Sequence, residues 1–172
     1  LTEENYAIRV EIGDKLGQAN CLRHMAQSSG DLGDYSKMLE QAETASRIYT
    51  EIENQRGIIS GLCLRVFAHA YLGDIDKAQS LLKRTLSECR ALESNSAWFA
   101  AIFSGLHVAV VQGEVEYAFL LAGQIMRNGA AHNYDRESAE KALRLLRAKE
   151  SAAVALIDEA ALLERGGRGS HE

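Results

Sequence analysis

Gly73-Asp74-Ile75-Asp76-Lys77-Ala78 has a near copy forty residues upstream, Gly33-Asp34-Tyr35-Ser36-Lys37-Met38, and another forty residues downstream, Gly113-Glu114-Val115-Glu116-Tyr117-Ala118. A constant period of 20 to 50 residues indicates one supersecondary unit stacked on itself. The residue types say what the unit needs at this point. A glycine just past a helix supplies the left-handed C-terminal cap, and an acidic residue after it accepts hydrogen bonds from the free N–H groups opening the next helix. Gly33, Asp34, Gly73, Asp74, Gly113 and Glu114 are therefore assigned to turns and helix caps, not to an acidic site.

Outward from these turns the chain reads as helix throughout. It has no proline in 172 residues, 47% hydrophobic and 25% charged residues, and little strand chemistry. No apolar run is long enough to cross a bilayer, and Leu1-Thr2-Glu3-Glu4 lacks the pattern of a secretory leader, so the expected compartment is cytoplasmic. A net charge of −5 argues against direct nucleic-acid contact by this segment. Cys21, Cys63 and Cys89 are odd in number and widely spaced, which predicts buried free thiols in place of a disulfide framework or a zinc site.

In chain order, residues 1–12 read as a helix with Tyr6, Ala7, Val10 and Ile12 apolar. This is an orphan half-repeat (1–16), and without an initiator Met the chain is expected to begin inside a longer protein. Repeats follow at about 17–56, 57–96 and 97–130. Their first helices are expected over 17–32, 57–72 and 97–112, and their second helices over 35–53, 75–92 and 115–127. The first carries Ala19, Leu22, Met25 and Ala26, and the fourth Leu81, Leu82, Leu86 and Cys89. The helix over 97–112 is apolar nearly all round and needs cover on several sides. Beyond Asn128-Gly129 the plan changes. His132 to Asp135 reads as a loop, Asp135 as the cap of a helix over 136–149, and Ser151 as the cap of a last helix over 152–163. These two form a capping pair within 131–165, and the glycine-rich 166–172 is expected to be a flexible tail.

A helix, a Gly-Asp turn and an antiparallel second helix, with Ala26, Ala78 and Ala118 as small packing residues, resemble the tetratricopeptide repeat. The forty-residue period and acidic, Gly-containing links such as Glu11-Ile12-Gly13-Asp14-Lys15-Leu16-Gly17 resemble the longer variant in the C-terminal arms of LuxR-type and other ATP-binding bacterial regulators. The resemblance implies an all-α, right-handed α-solenoid of antiparallel helix pairs over residues 1–130 with a C-terminal capping pair. It also implies a concave groove lined by first helices. Carried over by counting back from each turn glycine, the groove positions are Asn20, Arg23, Gln27 and Asp31, then Ser60, Cys63, Phe67 and Tyr71, then Phe103 and His107. Arg65 falls where that register expects a buried residue.

Chemistry is sparsely signalled. No phosphate loop, nucleophile elbow, H-E-x-x-H or dinucleotide fingerprint occurs, so the chain is expected to be non-enzymatic, with no cofactor and no metal. His69, His107 and Cys63 lack the spacing of a metal motif. Trp98, Phe99 and Phe103 at helical spacing read as core in preference to a ligand box. The expected function is a protein- or peptide-binding module, the sensor or interaction arm of a bacterial regulator, without membrane contact. Self-association as a homo-oligomer and binding of a small effector are the alternatives.

Overall fold

The computed structural model describes residues 2–92, 94–128, 133–155 and 158–168. Among them the regular structure is all α-helical, with no strand. Two compact units divide at Ala97/Trp98. The first holds α1 (Thr2–Glu11), α2 (Lys15–Asp31), α3 (Tyr35–Glu51), α4 (Gln55–Tyr71) and α5 (Ile75–Leu92). Each packs on its chain neighbour, and α2 also packs on α4.

One closure links these helices. Asp34 N–H donates to Ser29 O and Gly33 N–H to Gly30 O, at 2.9 and 3.0 Å, the paired bonds of a Schellman end. The same two bonds recur at residues 13–14, 53–54, 73–74 and 113–114. The left-handed residue in each is Gly13, Gly33, Gly73 or Gly113, with φ between 70° and 86°, except that Glu53 takes φ 54°. From residue 13 to residue 73 the turn thus recurs every twenty residues, half the period of the sequence copies, and it returns at residue 113; residue 93 lies outside the described residues. Glu53-Asn54 escapes a Gly-Asp pattern because neither residue matches it. The residue after the left-handed one opens the next helix: Asp14, Asp34 and Asn54 accept through Oδ1 from Gly17, Lys37 and Gly57 N–H at 2.8 to 3.0 Å. Glu114 holds the same position, but its side chain makes no capping hydrogen bond, against expectation. One extra methylene moves the carboxylate out of the geometry that Asp and Asn achieve.

Small residues set the helix spacing in this unit. Ala19, Ala26, Ala42, Ala45, Ala68 and Ala78 are fully buried between helices. The expected faces need two corrections. Tyr6 of α1 packs against the core, while Val10 and Ile12 stay exposed, because α1 packs chiefly on α2 and only one of its faces is covered. In α5, Leu81, Leu82 and Leu86 are half-buried and Thr85 takes the core position, its hydroxyl satisfied by Leu81 O at 2.8 Å.

Most of α6 (Asn95–Gln112) lies in the second unit, with α7 (Val115–Arg127), α8 (Asn133–Lys149), α9 (Ser151–Val154) and α10 (Glu159–Arg168). The apolar α6 is covered as its composition requires, and residues 104–110 are all buried. Phe99, Leu106 and Val110 share a core with Phe119 and Ile125 of α7 and with Leu143 and Leu146 of α8. The C-terminal boundaries differ from expectation. Residues 133–135 are the first turn of α8, because Asn and Asp suit a helix N-terminus as well as the loop before it. His132 lies outside the described residues. The last helix is broken, and Asp158 in place of Ser151 caps α10, accepting from Ala161 N–H at 3.0 Å. Gly166 does not begin a tail. It is helical and packs against the backbone of Leu120 in α7, while Gly123 of α7 packs against the backbone of Leu163 in α10. Two glycines facing opposite backbones explain a glycine inside this helix; residues 169–172 lie outside the described residues. All three cysteines are buried and free.

The turns predict opposite effects of opposite substitutions. Gly33→Ala should lower the unfolding free energy by about 1 kcal/mol through its left-handed φ alone, since no atom lies near the added methyl. Glu53→Gly should raise it by roughly 0.5–1 kcal/mol. Gly57→Ala, whose methyl would strike the buried Tyr49 ring, should cost about 1–3 kcal/mol. Urea unfolding followed by circular dichroism checks all three.

Candidate functional site

The candidate groove positions in the first unit stand on α2 and α4. Asn20, Arg23, Gln27 and Asp31 follow an i, i+3, i+7, i+11 spacing, and Ser60, Cys63, Phe67 and Tyr71 repeat it, so each set lies along one helix face. Asn20, Arg23 and Gln27 are half-buried and Asp31 is exposed. Asn20 Oδ1 accepts a hydrogen bond from the Tyr49 hydroxyl of α3 at 2.9 Å. Burial raises the Tyr49 phenol pKa, opposed by the Arg23 guanidinium beside it. Arg23 Nη2 in turn lies 2.7 Å from His24 Nε2. Arginine only donates, so this nitrogen accepts and the ring proton sits on Nδ1. Partial burial, and then the Arg23 charge, hold the His24 pKa below its usual value. Asn20 and His24 also line a hollow of about 340 Å³ between α1 and α2, whose rim carries the Arg9–Asp14 ion pair at 2.7 Å. The hydrogen bonds that Asp14 accepts from Gly17 N–H and then from Arg9 hold that carboxyl below its usual pKa. The surface is polar and offers both donors and acceptors at fixed positions.

Phe67 and Tyr71 are not free-standing anchors. They form a cluster with Tyr35, the first residue of α3: Tyr35 stacks on Tyr71 at 4.6 Å, and Phe67 lies 5.0 Å from Tyr71 and 6.0 Å from Tyr35. Burial, and then the neighbouring Tyr35, push the Tyr71 phenol pKa well up. Phe67 keeps a partly exposed edge while packing against the core that includes Ala26 and Met38. Tyr35 was missed because it directly follows the turn and reads as part of it. Its signal was present, since Ile75 and Val115 hold the same place forty and eighty residues on. Ser60 is half-buried and Cys63 is buried.

Phe103 and His107 stand in the second unit. Phe103 is half-buried and meets the His107 ring edge-on at 4.8 Å. His107 is only 3% exposed, so it does not line an open groove as expected. Burial, and then Lys141, depress its pKa to about 3. It is a neutral core imidazole. Of the aromatic residues before it, Phe99 is core, while Trp98 is 39% exposed, contrary to its expected burial. His69 is buried in the first unit with Nδ1 3.1 Å from Asp74 Oδ2, which ties the turn to the helix before it. Among the described residues no three His, Cys, Asp or Glu side chains converge as metal ligands, and no helix is long and apolar enough to cross a membrane.

Comparison with protein-family models, curated proteins and solved structures gives no match for this chain.

His107 sets a pH signature. Its folded pKa lies below the ordinary value near 6.5, so the unfolded chain binds the extra proton between those limits. The stabilisation is complete above pH 6.5 and is lost as pH falls towards 3, by about 1.4 kcal/mol per unit. Urea unfolding at pH 5 and pH 7 should show His107→Gln with a shallower pH dependence than the parent chain.

Proposed function

We propose that the chain is a non-enzymatic protein- or peptide-binding repeat module, the sensor or interaction arm of a bacterial transcriptional or signalling regulator. In this reading its helix pairs form a right-handed tetratricopeptide-like α-solenoid with a capping pair at the C-terminal end. One observation carries the proposal: the same Schellman closure recurs at 13–14, 33–34, 53–54, 73–74 and 113–114, joining α2, α3, α4 and α5 of 17 or 18 residues in succession, with α2 packed beside α4. Stacked helix pairs of this kind expose the equivalent face of each first helix along one continuous surface. In the first unit that face carries Asn20, Arg23 and Gln27 beside the partly exposed edge of Phe67. Aromatic and arginine side chains dominate recognition energetics, and the packing of Tyr35 and Tyr71 against Phe67 presents it without further loss of side-chain entropy.

A second reading, self-association, draws on a different surface. Ile8, Val10, Ile12 and Leu16 are 55%, 49%, 64% and 44% exposed around α1 and the start of α2. Sedimentation velocity across concentration tests it. A monomer at all concentrations removes this reading, whereas a dimer abolished by Ile8→Glu with Ile12→Glu supports it.

For the first reading, peptides selected from a displayed random library against the chain should shift the amide resonances of Asn20, Arg23, Gln27 and Phe67. Arg23→Ala combined with Gln27→Ala should weaken them by about tenfold or more without changing the melting temperature. Peptides that map elsewhere, or bind the double variant equally, would overturn the groove assignment.

A further inference from the structure

We propose that α3, α4 and α5 together form a binding site for a small organic phosphate, on the face of α4 opposite the peptide-binding surface. A groove of about 470 Å³ lies between these helices, within the range of small-ligand sites. Each helix contributes one arginine to it, Arg47, Arg65 and Arg84, against a single acid, Glu43. The lining is therefore positive by two charges in a chain whose net charge is −5. A cleft of one sign focuses its field on an anion, against the repulsion of the remaining surface.

These arginines are not consumed by structural pairing. Arg65 Nη2 stands 3.9 Å from Glu43 and Arg84 Nε 3.8 Å from Glu88, both beyond hydrogen-bond length, and Arg47 Nη2 donates to Thr44 Oγ1 at 3.2 Å. Arg147 shows what full pairing looks like in this protein, with a fork on Glu159 at 2.6 to 3.2 Å. The Arg65 Nε is buried and donates to no described atom of the protein, an uncommon state for a buried polar group. Guanidinium donors in a fork geometry match phosphate oxygens, and three of them suit a dianion better than a single carboxylate.

The rest of the lining selects the organic part. Ser46 Oγ donates to Ala42 O at 2.7 Å and Thr50 Oγ1 to Ser46 O at 2.8 Å, so both hydroxyl protons are committed to the helix. Their lone pairs accept from a ligand hydroxyl or amine. Ile58 and Leu62 add an apolar wall. A phosphomonoester on a hydroxyl-bearing group with one apolar face, of the size of a nucleoside monophosphate, meets all three demands. Ile58, Leu62 and Arg65 follow i, i+4, i+7 spacing. At 100° per residue they point about 180° from Ser60, Cys63, Phe67 and Tyr71, so occupancy of one face leaves the other open.

The test is a calorimetric and amide-resonance titration of the whole chain with adenosine monophosphate, adenosine and inorganic phosphate at low and high salt. The monophosphate should bind saturably, more tightly than inorganic phosphate, and weaken as salt rises, with shifts at Thr50, Arg65 and Arg84 and none at Arg23 or Gln27. Adenosine should not bind. Arg84→Ala and Arg47→Ala, both on exposed side chains, should each weaken binding about tenfold with the fold intact, and Arg65→Lys should weaken it because it keeps the charge and loses the fork. Absence of saturable binding by the monophosphate, equal binding of adenosine, or unchanged affinity in Arg84→Ala overturns the proposal.

Discussion

The paired hydrogen bonds that end α1, α2, α3, α4 and α6, each closed by one residue in the left-handed conformation, are the constraint on which the rest of this protein depends. A helix that ends this way satisfies two of its last carbonyls internally and reverses the chain within a single residue. The next residue immediately opens the following helix, so no loop remains to absorb error. Helices joined this way are therefore locked to one turn geometry, and each must bury its apolar face against the neighbour that the turn dictates. Glu53 shows how firmly this is imposed. A glutamate is held at φ 54° because the bonds from Glu53 and Asn54 to Thr50 and Tyr49 form as they do at the glycine turns.

Packing then follows from residue size. Fully buried alanines bring α2, α3 and α4 together, and the larger Tyr49 and Met38 fit where Gly57 and Gly30 leave room for their side chains. In the second unit the same device is carried further, with Gly123 and Gly166 each facing a backbone across the α7–α10 contact. Each such contact depends on the absence of a methyl group, so stability here is spread over positions that look unremarkable one by one.

The two faces of α4 have different origins. The α2/α4 face is polar and hydrogen-bonded, with an aromatic cluster rooted in the core. The arginine groove belongs to the reverse face of α4 and depends on side chains from three helices. Arg65 occupies a position that the repeat register expects to be buried, and it lies partly covered in the lining of the groove. A residue that breaks a local pattern and leaves a buried donor, Arg65 Nε, without a hydrogen bond among the described residues indicates a role outside the fold.

The sequence by itself determined the all-helical class, the main helices of residues 15–127, the turns at Gly33, Gly73 and Gly113, and the burial of Ala26, Ala78 and Ala118. Those features rest on local rules: periodicity, the conformational freedom of glycine, and the short reach of an aspartate cap. Only the tertiary structure decided that Glu53-Asn54 is an equivalent turn, that His107 is a neutral core imidazole, that Tyr35 completes the cluster of Phe67 and Tyr71, and that Arg47, Arg65 and Arg84 share a groove. The C-terminal helices were misread for the same reason. Whether Gly166 ends a helix or packs it depends on Leu120, more than forty residues away, and no local pattern carries that contact. Burial, pKa and the convergence of charges are properties of neighbours in space, and they exist only once the helices have packed.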